Sequence, residues 1–291
     1  ECLYICQARQ EWYRRYASEH GLPEVALVGS AAAASDPSAL AAEMRTRLGY
    51  EGSDRTDLHT LTETRRYLTD RIEGLGVLVM VSGIVGSDTH RSLDPEEFRG
   101  FALADPLAPV IFVNGADTKA AQLFTLAHEL GHLLLGGSAL SDSSMTDTRG
   151  PELERWCNRF AAELLVPADQ VRSEYRGVIG TEELQRLGRL FRASTLAVLT
   201  RLLDVSLIDR ETFGPAFDTE LARVLKHAGS QGEDGGGNFY NGQPIRLSRR
   251  FATTLISSAL EGSTAFRDAY RLLGTRKAAT FEGLAEHLGV T

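Results

Sequence analysis

The residues best suited to chemistry are the two imidazoles of the run Thr125-Leu126-Ala127-His128-Glu129-Leu130-Gly131-His132-Leu133-Leu134-Leu135-Gly136. Histidines four apart share one face of a helix, slightly more than a turn from each other. Both rings can then bind one Zn²⁺, and the adjacent Glu129 flanks the ion as a general base toward water. A helical wheel set at His128 puts Ala121, Phe124, Thr125, His132 and Leu135 on its side. Leu123, Leu126, Leu130, Leu133 and Leu134 fall roughly opposite. One face of this helix suits a core and the other a metal.

A catalytic zinc site takes three protein ligands and leaves a position open. The stretch Glu154-Arg155-Trp156-Cys157-Asn158-Arg159-Phe160-Ala161-Ala162-Glu163-Leu164-Leu165-Val166-Pro167 reads as a second helix closed by Pro167. Its two acids, Glu154 and Glu163, differ by about 180° on the wheel, so only one can face the site. Asn158 shares the face of Glu154, which makes Glu154 the expected ligand and the Asn158 amide a partner that orients a histidine ring. Glu163 is then a surface or ion-paired residue. A tetrahedral oxyanion needs a further donor. The pattern does not single it out: His90, Arg91 and Tyr175 are candidates, and Asn114 is a candidate substrate contact.

Several elements must position these groups. Residues 1–20 read as a helix, residues 29–38 as a loop or linker, and residues 38–48 and 59–73 as helices. Residues 77–81, 101–103 and 110–113 are β-favouring runs. The polar segment 87–99, with His90 and Arg91 at its centre, reads as a loop. Asp117 is the expected N-cap of the metal helix. Residues 137–150 read as a lid or a plain connection between the two motif helices. Helical patterns follow at 168–176, 181–191 and 194–204, then a glycine-rich joint at 229–237 and three short helices to the end.

The segments FTLAHELGHLLLG and ELERWCNRFAAELLVP resemble the ImmA/IrrE family of bacterial metallopeptidases, as does the strand-like PVIFVNG ahead of them. The family pattern E-x-x-A-N-x-F-A-A-x-L-L-x-P is met by Glu154, Asn158, Phe160, Ala161, Ala162, Leu164, Leu165 and Pro167. Cys157 stands where the pattern has Ala. The resemblance implies an α+β fold with a small gluzincin-like unit, in which a short sheet, an active-site helix and a glutamate helix sit between mainly helical flanks. It implies one Zn²⁺ per chain and cleavage of a regulatory protein, a transcriptional repressor or an antitoxin. It implies a substrate strand lying along a sheet edge beside the metal, offered by residues 111–114 or by the strand at Phe101. The run LGRLFRASTLAVLTRLLDVSLI resembles the helix-turn-helix that follows the peptidase in this family. The expected organisation is a helical N-terminal segment (1–55), a peptidase domain (56–176), a helix-turn-helix-like region (177–230) and a helical C-terminal domain (236–291).

Composition bounds the reading. The 291 residues are 43% hydrophobic and carry a net charge of −8, enough for a large core and unfavourable to nonspecific nucleic-acid binding. Residues 239–291 hold seven basic and four acidic side chains, +3, which leaves −11 on the rest. Few basic groups lie in the helix-turn-helix-like region, so DNA is a disfavoured partner. No apolar run reaches membrane-spanning length. The three cysteines, Cys2, Cys6 and Cys157, point to a reducing cytoplasm and to packing roles. The first residue is Glu, which reads as a truncated or processed start. The competing class is a DNA- or protein-binding regulator, or a toxin–antitoxin component, whose zinc site is structural or weakly active. A structural site is normally closed by a fourth protein ligand and has no use for Glu129.

Overall fold

A computed structural model describes residues 1–51, 57–137, 150–228 and 239–290. In chain order these form α1 (Cys2–Glu19), α2 (Pro37–Leu48), α3 (Leu61–Gly74), β1 (Leu78–Ser82), β2 (Ile84–Val85), β3 (Asp88–Ser92), β4 (Gly100–Leu103), β5 (Val110–Asn114), α4 (Lys119–Leu134), α5 (Gly150–Leu165), α6 (Ala168–Glu174), α7 (Thr181–Phe191), α8 (Thr195–Asp204), α9 (Arg210–Ala228), α10 (Phe239–Leu247), α11 (Arg249–Leu260), α12 (Phe266–Leu273) and α13 (Ala278–Leu288). All but the two end residues of the 137–150 connection, and all of the 229–237 joint, lie outside the described residues.

Successive side chains of a strand point to opposite faces, and in the main sheet both faces are apolar. β1, β5 and β4 make a three-stranded mixed sheet in that order, β1 parallel and β4 antiparallel to the central β5. Val79, Val81, Ala102, Ile111 and Val113 join a core with α2, α3, α4, α5, α7 and α8. Leu78, Met80, Phe101, Leu103, Val110 and Phe112 join another with α1 and α10–α13. The α+β architecture is therefore layered, with helices covering a small sheet on both sides, which is why its strands read as unbroken apolar runs.

Four expectations need correction. Segment 87–99 is not all loop, because β2 and β3 pair as an antiparallel hairpin; β3 is exposed throughout, so its polar residues carry no alternating signal. Residues 111–114 cannot offer a sheet edge, since β5 is paired on both sides and β4 is the edge strand. The N-cap of α4 is Thr118, whose hydroxyl accepts from the Ala121 amide at 3.2 Å, while the Asp117 carboxylate accepts from the Thr118 amide and lies 3.7 Å from Arg99. The tail holds four helices rather than three.

One polar tie joins the C-terminal helices to the layer that carries the motif helices. Glu73, near the end of α3, is buried beside Ser248, the N-cap of α11. The Ser248 hydroxyl donates to Glu73 Oε1, the Arg250 amide to Oε2 at 3.3 Å, and the Arg250 guanidinium to Tyr13 Oη at 2.9 Å. Burial raises the Glu73 carboxyl to about 7 despite these donors.

Candidate metal centre

The two histidines project from α4 as their spacing requires. His132 is buried and His128 half-buried, and their Nε2 atoms are 3.0 Å apart. From α5, Glu154 brings Oε2 to 3.3 Å from His128 Nε2 and Oε1 to 3.3 Å from His132 Nε2. His128, His132 and Glu154 are the metal-ligand group among the described residues, with ligand atoms within 4.8 Å of one another. A tetrahedral zinc ion with bonds of about 2.0–2.1 Å spaces its ligand atoms about 3.3 Å apart. The triangle fits that ion. Buried His128 Nδ1 has no hydrogen-bond partner, so its ring is not turned toward any protein acceptor and its Nε2 stays with the cluster. The nearby imidazoles hold the Glu154 carboxyl well below its usual range.

Two close approaches build this arrangement. Gly131, one residue before the second histidine, brings α4 against α5: a Cβ there would meet Phe160 Cδ1 at 3.3 Å and Cys157 Sγ at 3.4 Å. A small side chain at 157 suits the same contact, and burial pushes the Cys157 thiol up, away from a reactive thiolate. Gly100, at the start of β4, brings the edge strand against α4. A Cβ there would lie 2.4 Å from Thr125 Cγ2, 2.7 Å from the Phe112 carbonyl oxygen and 3.5 Å from Glu129 Cγ. Glu129 is thus wedged between edge strand and helix, 3% exposed, with Oε2 lacking a partner. Its carboxyl is raised well above the ordinary value, first by burial and then by the charge of Glu154. The far end of α4 is sealed by an N-terminal loop: the Gly29 and Ala31 amides donate to the Leu133 and Leu134 carbonyls at 3.0 and 2.8 Å.

The remaining candidates lie elsewhere or do other work. Asn158 is exposed beside the centre, and no hydrogen bond joins it to either imidazole. Arg91 is ion-paired with Glu1 at 2.7 Å and His90 is exposed, both on a hairpin tied through Ser87 to the Gly274 carbonyl. Asn114 is fully buried, donating to the Phe98 carbonyl and accepting from the Ala116 amide. Tyr175 lines a different cavity, with Leu203 and residues 206–210. Glu163 does face away from the metal, but it is buried rather than on the surface. It is ion-paired with Arg201 and accepts from the Ala168 amide at 3.1 Å, and its carbonyl accepts from Arg45. Gly100 escaped the sequence reading, which placed its neighbour Thr125 on the His128 face but not against a strand, whereas a glycine inside the otherwise helical HELGH run was a legible sign of close packing.

A paired-histidine helix with a glutamate on a second helix is the gluzincin arrangement of metallopeptidases. Residues 72–203, which contain both motif helices, match the family described as the IrrE N-terminal-like domain, which supports the resemblance to the ImmA/IrrE family. The radiation response metalloprotease IrrE of Deinococcus deserti is 36% identical over 140 residues, 43% of this chain and 46% of that protein. The protein of the same name from Deinococcus radiodurans is 32% identical over 141 residues, 43% of this chain and 39% of that protein. The chain thus spans less than half the length of these curated relatives. Residues 247–287 match a domain of unknown function. Among the described residues no helix is long and apolar enough to cross a membrane.

Proposed function

We propose that this chain is a zinc-dependent endopeptidase that cleaves a regulatory protein, a transcriptional repressor or an antitoxin, in the cytoplasm. The observation that carries the reading is the convergence of two imidazole nitrogens and one carboxylate beside a buried, unpartnered Glu129. His128, His132 and Glu154 would hold the ion, as three protein ligands suit a catalytic site. When bound, Zn²⁺ supplies Lewis acidity toward water and the scissile carbonyl. Glu129 takes the proton of the attacking water and delivers it to the leaving amine. That role needs the carboxylate form, and a divalent charge close by offsets the burial that favours the protonated acid. The edge strand β4 runs past Glu129 and can present its backbone to a substrate strand.

The domain reading stands with it: a peptidase unit at 56–176 between a helical start, a helix-turn-helix-like region and a helical tail. The test is Glu129→Gln, which keeps size but cannot accept the proton. The variant is expected to retain zinc and fold while losing cleavage. A cellular protein whose abundance falls with the wild-type chain, and not with Glu129→Gln, identifies the substrate. Wild-type turnover by the variant would overturn the general-base role.

A further inference from the structure

A cleft of about 840 Å³ opens beside the metal centre. It begins at Phe124, whose ring stacks on His128, and at Asn158, one turn beyond Glu154. Its floor is apolar, with Leu123, Ala162, Leu165 and Val205, and its rim carries Arg155, Arg159, Arg172 and Arg192. Glu163 is ion-paired within the wall with Arg201, whose charge also acts on Asp204, the other acid of the lining. Arg155 is loosely paired with Glu152 at 3.9 Å, both side chains largely exposed, a pairing of little energetic weight. Among the described residues no carboxylate is ion-paired with Arg159 or Arg172, and both are exposed. A concentration of guanidinium groups on a chain of net charge −8 is an electrostatic signal, because a cleft focuses the field of its own charges.

We infer that this cleft binds an acidic, partly apolar polypeptide segment of the substrate next to the bond being cut. The inference rests on the metallopeptidase reading and adds to it the chemical class of the substrate. Carboxylates meet the arginine rim as charge-assisted, two-pronged hydrogen bonds, and neighbouring apolar side chains cover the floor. The shape of the site favours protein over nucleic acid. The exposed face of α8, with Ala197, Thr200 and Asp204, is the one a helix-turn-helix would offer to a major groove. Here that face forms one wall of the cleft, with residues of α2, α4, α5, α6 and the turn before α8 lining the rest, an enclosure that suits a single polypeptide segment better than a duplex.

Binding is measured on the zinc-loaded Glu129→Gln full chain by fluorescence anisotropy. The probes are a labelled short peptide rich in Asp, Glu and Leu, its counterpart with Asn and Gln for the acids, and a short DNA duplex. The acidic peptide is expected to bind about tenfold more tightly than its neutral counterpart, the advantage shrinking with salt. Arg159→Glu with Arg172→Glu removes the preference at unchanged zinc content and thermal midpoint, and Arg159→Lys with Arg172→Lys retains most of it. Equal affinity for the two peptides, or indifference to charge reversal, overturns the inference, as does arginine-dependent binding of the duplex in place of the peptide. Acid-selective, arginine-dependent binding by the Glu129→Gln chain, together with a zinc-loaded wild-type chain that hydrolyses nothing, leaves the cleft standing and sinks the peptidase reading. Hydrolysis indifferent to peptide charge does the reverse.

Discussion

Glu154 and Glu163 sit on one helix, and their fates under substitution should separate. Glu154→Gln removes the charged member of the ligand triangle and is expected to lower zinc affinity by a large factor, as should the double change His128→Ala, His132→Ala. Glu163→Gln should leave zinc binding intact and strike stability instead, since removing one partner of a buried ion pair typically costs about 3–5 kcal/mol. Here it leaves Arg201 buried without its carboxylate. Zinc titration and thermal unfolding of the variants decide both points; loss of zinc from the Glu163 variant would reverse the assignment. Position on the wheel was legible from spacing alone, because nine residues in a helix fix opposite faces whatever surrounds them. The burial of Glu163 was not legible, since Arg201 and Arg45 reach it from helices 38 and 118 residues away in sequence.

At the scale of elements, the sequence pattern located the strands that became β1, β4 and β5 because each is an apolar run bounded by polar or glycine residues. It could not order them, and so it could not tell that β5 is central and β4 the edge. The exposed hairpin of β2 and β3 was invisible for a related reason: a strand with no buried face has no periodicity to read. The packing of β4 on α4 rests on Gly100. Gly100→Ala is expected to displace Thr125 or the strand itself, since the added methyl would sit 2.7 Å from a backbone carbonyl as well as 2.4 Å from a side chain. Catalysis should fall more than zinc content, because Glu129 is the neighbour disturbed while the ligands lie elsewhere on the helix. Parallel kinetics and metal analysis would show this; full activity in the variant would mean that β4 and Glu129 are not mechanically connected.

For the molecule as a whole, the Glu73 tie couples the layers on the two sides of the sheet to pH. Burial holds this carboxyl near 7 in the folded chain, above an unfolded value of about 4.3. The folded state therefore keeps a proton that the unfolded state has released. The stability involved is fully present below the unfolded value and is lost as pH rises through about 7. Glu73→Gln, neutral at every pH, should flatten the fall in stability between about pH 5 and 8 relative to wild type, both measured zinc-loaded by denaturant titration. Identical pH profiles would show that Glu73 is ionised in the folded chain.

The seal on the far end of α4 carries a consequence for motion. The Gly29 and Ala31 amides can exchange their hydrogens with solvent only when the last turn of the metal helix lets go of them. Their deuterium uptake therefore times the local opening of the helix that carries both histidines, at a distance in sequence of about a hundred residues. Zinc that pins His132 to the glutamate helix should slow exchange at these two amides, while the exposed end of α1 keeps its rate.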